Sequence, residues 1–389
     1  MKSQIENRKS KIAIAGAGPA GSSLAIRLAQ SGFETVLIER ERFPRQKLCG
    51  EFISPECLGH FERLDVLDEM LVAGGDRIFE TRFFEAGGRS VAVPSKWFGR
   101  GDFALSLSRA EMDYQLLKKA KEAGSEVFEG TAITGAESVN GRIKTLRARS
   151  EDGNVSEITA DIFVDATGRS RVLSKLAEKQ NNPHAHTSIK PALVGFKNHL
   201  RGVELEKGLC EIYSFSGGYA GLSHVENGLA NLCFLIKAET VRSIGSDAEK
   251  VIEQVVFKNE RAFETLRDAT ATDEWLAVSI DSFGTKTPAP AANLFSIGDA
   301  ASFIDPFTGS GMVMAFESAQ VLAEIIASRP FETIGREYLI AYKRKFANRL
   351  RLCSALRRTA LMPNVATAVV SILGISGNAR RYLARATRS

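Results

Sequence analysis

The run Gly16-Ala17-Gly18-Pro19-Ala20-Gly21 has the spacing of a dinucleotide phosphate cradle, and Glu39 stands about twenty residues beyond it. In that chemistry Gly16 makes a tight turn, Gly18 lets the backbone approach a pyrophosphate, and Gly21 lets a helix pack on a strand. A helix opening at Pro19 and Ala20 aims its positive end at the phosphates. Glu39 is placed to accept hydrogen bonds from a ribose hydroxyl. Two further glycine-rich segments follow far along the chain. One is Asp165-Ala166-Thr167-Gly168; the other is Gly298-Asp299-Ala300-Ala301, trailed by Asp305-Pro306 and Gly309-Ser310-Gly311.

Other reactive side chains are few. Cys49 lies in Lys47-Leu48-Cys49-Gly50-Glu51 and is a candidate redox or packing thiol, with Arg45 and Lys47 as the nearby positive charges in sequence that a thiolate needs. His224 is a candidate proton donor. His184-Ala185-His186 has no carboxylate or cysteine at ligand spacing, so we expect a surface loop and no metal. No Ser-His-Asp arrangement or second GxGxxG is present.

These residues need particular elements to position them. The apolar run Ile12-Ala13-Ile14-Ala15 predicts a strand leading into the first cradle, a small-residue helix leaves it, and Thr35-Val36-Leu37-Ile38 predicts the next strand. Ser108 with Glu111 three residues later predicts a capped helix running to about Ala123. From Ala192 to Ala238 the period changes to two, and Asn227-Gly228 predicts a hairpin, so we expect an antiparallel sheet. Tyr213, Phe215, Tyr219 and Gly221 are its candidate substrate-side residues. Ser310 to Ser328 reads as one long apolar helix. The expected fold is α/β: an FAD-binding, Rossmann-like domain from residues 1–175 and 285–335, an antiparallel substrate domain over 176–284, and a basic helical region over 336–389. A segment about residues 60–100 is expected on the substrate side.

In order and spacing the three glycine-rich segments resemble the FAD-binding fold shared by para-hydroxybenzoate hydroxylase-like monooxygenases, flavin-dependent halogenases and geranylgeranyl reductases. The resemblance covers most of residues 10–330. It implies that FAD is held by Gly16, Gly18, Pro19, Ala20, Gly21, Glu39, Arg40, Arg109, Asp165, Gly168, Gly298, Asp299, Pro306, Gly309 and Gly311. Within it, Arg109 lies near the phosphates, Asp299 binds the ribityl or pyrophosphate portion, and Gly309 to Gly311 begin a helix aimed at the flavin ring. Hydroxylases usually carry Asp-Gly in the middle segment where Thr167-Gly168 stands here, as in reductases and halogenases. Halogenases carry Trp-x-Trp-x-Ile-Pro, whereas the two tryptophans here are Trp97 and Trp275. The Cys49-Gly50 segment resembles geranylgeranyl reductases. Their Tyr-x-Trp-x-Phe-Pro is replaced by Tyr219-Ala220-Gly221-Leu222-Ser223-His224, which widens the expected cavity toward polycyclic or polyketide substrates. The resemblance therefore implies reduction of a carbon–carbon double bond in a lipophilic substrate. The alternative is hydroxylation of an aromatic or polyketide substrate through a C4a-hydroperoxide. NAD(P)H, ferredoxin or free reduced flavin are the possible electron donors.

The composition is that of a globular protein: 389 residues, 44% of them hydrophobic. Five scattered cysteines and no apolar leader before the first strand lead us to expect a cytoplasmic location. Eleven basic residues and no acid lie between Tyr338 and Ser389; removing them from the 51 Lys and Arg leaves 40 against 46 Asp and Glu. The basic tail and the nearly uncharged run from Thr359 to Asn378 either pack as a helical subdomain or touch a membrane interface. A flavin-containing protein that docks to a membrane or an acidic partner is the reading from another class. No nucleic-acid motif accompanies the charge.

Overall fold

Period-two alternation of small and branched apolar residues builds the central layer. The computed structural model describes residues 10–98, 101–181, 191–280, 283–304, 309–360 and 377–386. His184, His186, Asp305, Pro306 and most of the apolar run after Thr359 lie outside them. A five-stranded parallel sheet runs in the order Leu294–Ser296, Ile162–Asp165, Lys11–Ala15, Glu34–Ile38, Glu126–Phe128. Ile12, Ile14, Leu37, Ile162, Val164 and Phe295 point to one face, where the helices Pro19–Gln30, Arg109–Glu122 and Gly311–Ser328 cover them. Ala13, Ala15, Val36, Ile38 and Phe163 point to the other, under the antiparallel hairpin Thr131–Val139 and Arg142–Ser150. Burial on both faces explains why these strands read as continuous apolar runs.

Ser108 caps the helix Arg109–Glu122 by accepting from the Glu111 N–H at 3.1 Å, as the sequence predicts. The expected long apolar helix spans Gly311–Ser328. It is long and apolar enough to cross a membrane, yet half of it is buried within the protein as the core helix of this layer.

A second, eight-stranded sheet carries Leu193–Arg201, Ala230–Lys237, Gly218–His224 and Leu209–Phe215, and Glu80–Phe84 and Ser90–Pro94 extend it at one edge. Its pairing is mixed: the strands from Leu193 to Ile280 pair antiparallel, as expected, and Leu209–Phe215 also runs parallel to Glu80–Phe84. A crossover of more than a hundred residues separates these two strands, so no hairpin geometry forces them antiparallel. The back face, with Phe196, Tyr213, Phe215, Leu222 and Phe234, packs on the helices Ala248–Gln254 and Glu260–Leu266. The front face, with Leu193, Tyr219 and Leu235, turns toward the loop that precedes Phe52–Ile53.

The basic C-terminal region starts with a helix over Ile334–Ala360. Tyr338, Tyr342, Phe346 and Cys353 recur at helical spacing and are all buried, with Tyr338 Oη donating to the Ser296 carbonyl at 2.9 Å. At roughly 1.5–3 kcal/mol for each large apolar side chain, this stripe outweighs the surface ion pairs of Lys345 and its neighbours. Protein covers most of it, and Lys343, Arg344 and Arg351 on the same helix are exposed. The last described helix, Gly377–Ala386, covers an edge of the mixed sheet: Arg380 donates to the Ala92 carbonyl at 3.1 Å, and Arg380 and Arg381 both lie over the Trp97 ring.

Candidate active site

All the glycine-rich segments leave the parallel sheet at the carboxyl ends of its strands, where open α/β sheets bind ligands. Neighbouring ends are tied together: Gly16 N–H donates to Ile38, Ala166 N–H to Ala15 and Ile297 N–H to Asp165. Gly16 has φ +98°, and a methyl there would sit 2.5 Å from the Ala166 carbonyl oxygen. A methyl on Gly21 would run into the carbonyl oxygen of Gly16. Gly18 differs, since a methyl there would meet only guanidinium nitrogens of Arg109 and Arg45, 3.8 and 3.9 Å away. Thus Gly16 and Gly21 close the turn on itself, while Gly18 opens onto two cations. Among the described residues no side chain caps the helix Pro19–Gln30, so its first-turn amides remain available to an anion. Glu39 accepts from the Ala17 N–H at 2.8 Å and the Glu41 N–H at 3.1 Å, which fixes its carboxylate at the end of the second strand.

Positive charge gathers around this turn. Arg109 forks onto Asp113 with contacts of 2.9 and 2.6 Å, and Arg45 reaches the same carboxylate at 3.1 Å. Burial works to lower the Arg109 value, but Asp113 outweighs it and holds the guanidinium charged. Burial and then four arginines (Arg45, Arg109, Arg40 and Arg169) push the Lys47 ammonium down. Burial pushes the Asp299 carboxyl up to about 6 against the pull of Arg169, Arg109 and Lys47. Two arginines meet one buried aspartate there, with Arg45 also 3.9 Å from Glu39 and Lys47 beside them. These cations, an open Gly18 and the uncapped helix fit a dianionic pyrophosphate, and Asp299 fits a hydroxyl-bearing sugar chain.

The same value has a consequence for stability. The Asp299 carboxyl ordinarily titrates at 3.8 and in the folded protein at about 6. The folded state therefore holds its proton more tightly, and this contribution is fully present below the lower value and lost as pH rises through the higher one. Asp299→Asn is expected to flatten the fall in apoprotein melting temperature as pH is raised through 6, while weakening FAD binding. An equally steep fall in thermal scans of the variant would contradict this.

A second polar group lies between the cradle and the front face. Glu51 is fully buried, with φ +53°. It accepts from Lys197 Nζ at 2.8 Å, from His199 Nε2–H at 2.7 Å and from the Arg109 backbone N–H at 2.8 Å. Burial works to raise its carboxyl, but the hydrogen bond from His199 and the charge of Lys197 outweigh it and hold the value below the usual one. Lys197, only 2% exposed, also donates to Gln46 Oε1 at 2.7 Å. Asn231 donates to the Cys49 carbonyl at 3.1 Å, and its own Oδ1 is buried without a hydrogen-bond partner among the described residues. Lys197 and His199 alternate with Phe196 and Asn198, so both stand on the front face.

A family model described as an FAD binding domain matches residues 9–353. The chain belongs to this FAD-binding domain family. Flavin-dependent halogenase rdc2 of Metacordyceps chlamydosporia is 26% identical over 343 residues, covering 80% of this chain and 63% of its own, so the chain spans just under two thirds of that relative. Digeranylgeranylglycerophospholipid reductase 2 of Methanopyrus kandleri is 26% identical over 330 residues, covering 81% and 76%. Among solved structures, the myxobacterial chondrochloren halogenase CndH superposes with a TM-score of 0.77 at 21% identity, covering 95% of this chain and 90% of that one. Halogenases and a reductase thus stand together among these relatives, all similar to this chain over most of its length.

In this FAD-binding protein the predicted residues separate into groups. Gly16, Gly18, Pro19, Ala20, Gly21, Glu39 and Arg109 come together at the cradle, with Gly168 (φ +66°), Gly298 (φ +57°) and Asp299 facing it from the neighbouring strand ends. Gly309 and Gly311 flank the start of the long apolar helix, and Pro306 lies outside the described residues. Asp165 is corrected as a direct ligand: its carboxylate is fully buried and accepts from the Thr167 and Ser174 backbone N–H groups and both hydroxyls, which staples the turn. Arg40 lies exposed beside the cradle, paired with Glu41 at 3.0 Å. Tyr219 and Gly221 stand on the front face, but Tyr213, Phe215 and His224 are on the back. Tyr213 Oη donates to Glu211 at 2.7 Å, Phe215 packs in the back-face core, and His224 Nε2–H donates to the Leu205 carbonyl at 2.8 Å. The strand period makes the correction, since one residue decides the face. His224 is therefore no proton donor to the site. Cys49 stays beside the cradle, and Arg109 joins Arg45 and Lys47 as a cation near it. Glu51, Lys197 and His199 escaped the sequence reading. Alternating polar residues in a strand that otherwise reads as buried were the available signal.

Proposed function

We propose that the protein is an FAD-dependent reductase that adds a hydride and a proton across a carbon–carbon double bond of a lipophilic substrate held on the front face. The observation that carries this reading is the buried Glu51, Lys197 and His199 group beside the Cys49 loop. When bound, FAD supplies two-electron redox chemistry. The cradle and its cations hold the dinucleotide, and the Cys49 loop with Leu48 against Gly195 shields the site from water. Lys197 Nζ holds the proton that completes the addition, Glu51 stabilises the ammonium beforehand, and the exposed Gln46 connects Nζ to solvent for its return.

The halogenase kinship favours a second reading, oxygen-dependent halogenation of an aromatic substrate. Against it stand the tryptophans: Trp275 packs on Phe234 in the back-face core, and Trp97 lies beneath the C-terminal helix. Photoreduced holoenzyme mixed with a geranylgeranyl lipid or a phenol, with sodium bromide present, separates the readings by product mass. A gain of two hydrogens without oxygen is expected, slowed by about 10²–10⁴-fold in Lys197→Met with FAD retained. Products that form only in air and carry bromine or oxygen would overturn the proposal.

A further inference from the structure

A cavity of about 790 Å³ opens between the helix Ile334–Ala360 and the paired strands Gly284–Thr285 and Ser302–Phe303. That volume lies within the range of small-molecule sites. One wall is the stacked pair Phe283 and Phe303, with centroids 4.8 Å apart. The same pair packs on Leu193, Tyr219 and Leu235, so the cavity and the front face of the mixed sheet share a wall. The opposite wall is a helical stripe: Leu339, Lys343, Phe346 and Leu350 recur at spacings of four, three and four, Arg351 follows four residues after Ala347, and all of them line the cavity. Leu339 is 41% exposed, an apolar side chain at the mouth. Lys343 and Arg351 are exposed at the same rim, and no carboxylate stands among the described lining residues.

We propose that this cavity binds an acidic lipophile, with an acyl or aromatic body between Phe283, Phe303 and Phe346 and a carboxylate at Lys343 and Arg351. The inference rests on the lipophilic-substrate part of the proposed function and names the charge that the substrate carries. Lys343 and Arg351 lie one helical repeat either side of Ala347, so both charges sit along one edge of an apolar floor. An uncharged lipophile would gain the floor and leave the two cations without a counter-charge among the described lining residues.

Binding to the oxidised holoenzyme tests this without turnover, so its failure is distinguishable from failure of the reductase reading. Laurate and dodecanol are titrated against the wild-type chain, the double variant Lys343→Glu with Arg351→Glu, and Ala347→Trp, whose indole would fill the cavity. FAD content reports that each variant folds. The double reversal is expected to weaken laurate about tenfold and leave dodecanol unchanged, because each exposed ion pair contributes modestly. Ala347→Trp is expected to abolish binding of both. Should Ala347→Trp fail to retain FAD, the double variant decides alone. Laurate affinity unmoved by the charge reversal, or dodecanol bound as tightly as laurate by the wild-type chain, would overturn the proposal.

Discussion

Glu51→Gln is expected to destabilise the protein by about 3–5 kcal/mol in urea unfolding, the largest effect of any single charge removal in the site. The side chain keeps its shape, but Lys197 stays buried at 2% exposure without its counter-charge, and His199 loses a charged acceptor. The double variant Glu51→Gln with Lys197→Met should recover much of the loss, because an apolar replacement of a whole buried pair is close to neutral. The Glu51 carboxyl is held below its usual 4.5, so its stabilisation is present above that pH and is lost as pH falls through the depressed value. The wild-type advantage over Glu51→Gln should accordingly shrink in acid. A single variant as stable as the parent would mean that Lys197 is not charged in the folded state.

Gly21→Ala is expected to abolish FAD binding and lower the yield of folded protein, whereas Gly18→Ala should fold normally and bind FAD more weakly. A methyl on Gly21 collides with the Gly16 backbone, which is itself held at φ +98° against Ala166, so neither partner can give way. A methyl on Gly18 meets only the ends of two flexible arginine side chains at 3.8 Å or more. Flavin absorbance of the purified variants and their circular dichroism check the pair. Equal behaviour of the two would show that helix-to-strand packing at Gly21 is not what closes the turn.

Much of the cofactor domain is legible in the chain because local patterns fix it. The Ser108 cap, the strand before Gly16, the hairpin at Asn227-Gly228 and the helix Gly311–Ser328 all follow from turn chemistry and periodicity. The face that each strand presents was harder to read. Leu209–Phe215 and Gly218–His224 alternate cleanly, yet both faces are buried, one by helices and one by the Cys49 loop, so hydrophobicity alone cannot tell front from back. This misplaced Tyr213, Phe215 and His224.

By itself the sequence determined that this chain builds a dinucleotide cradle, since glycines at fixed spacing between a strand and a helix have few other physical uses. Only the tertiary structure decided which charges meet there. Asp113 joins Arg45 to Arg109, and Glu51 meets Lys197 across an interval of well over a hundred residues. Buried ion pairs form wherever the packed chain excludes water around opposite charges, and their spacing along the sequence carries no periodic mark of that meeting.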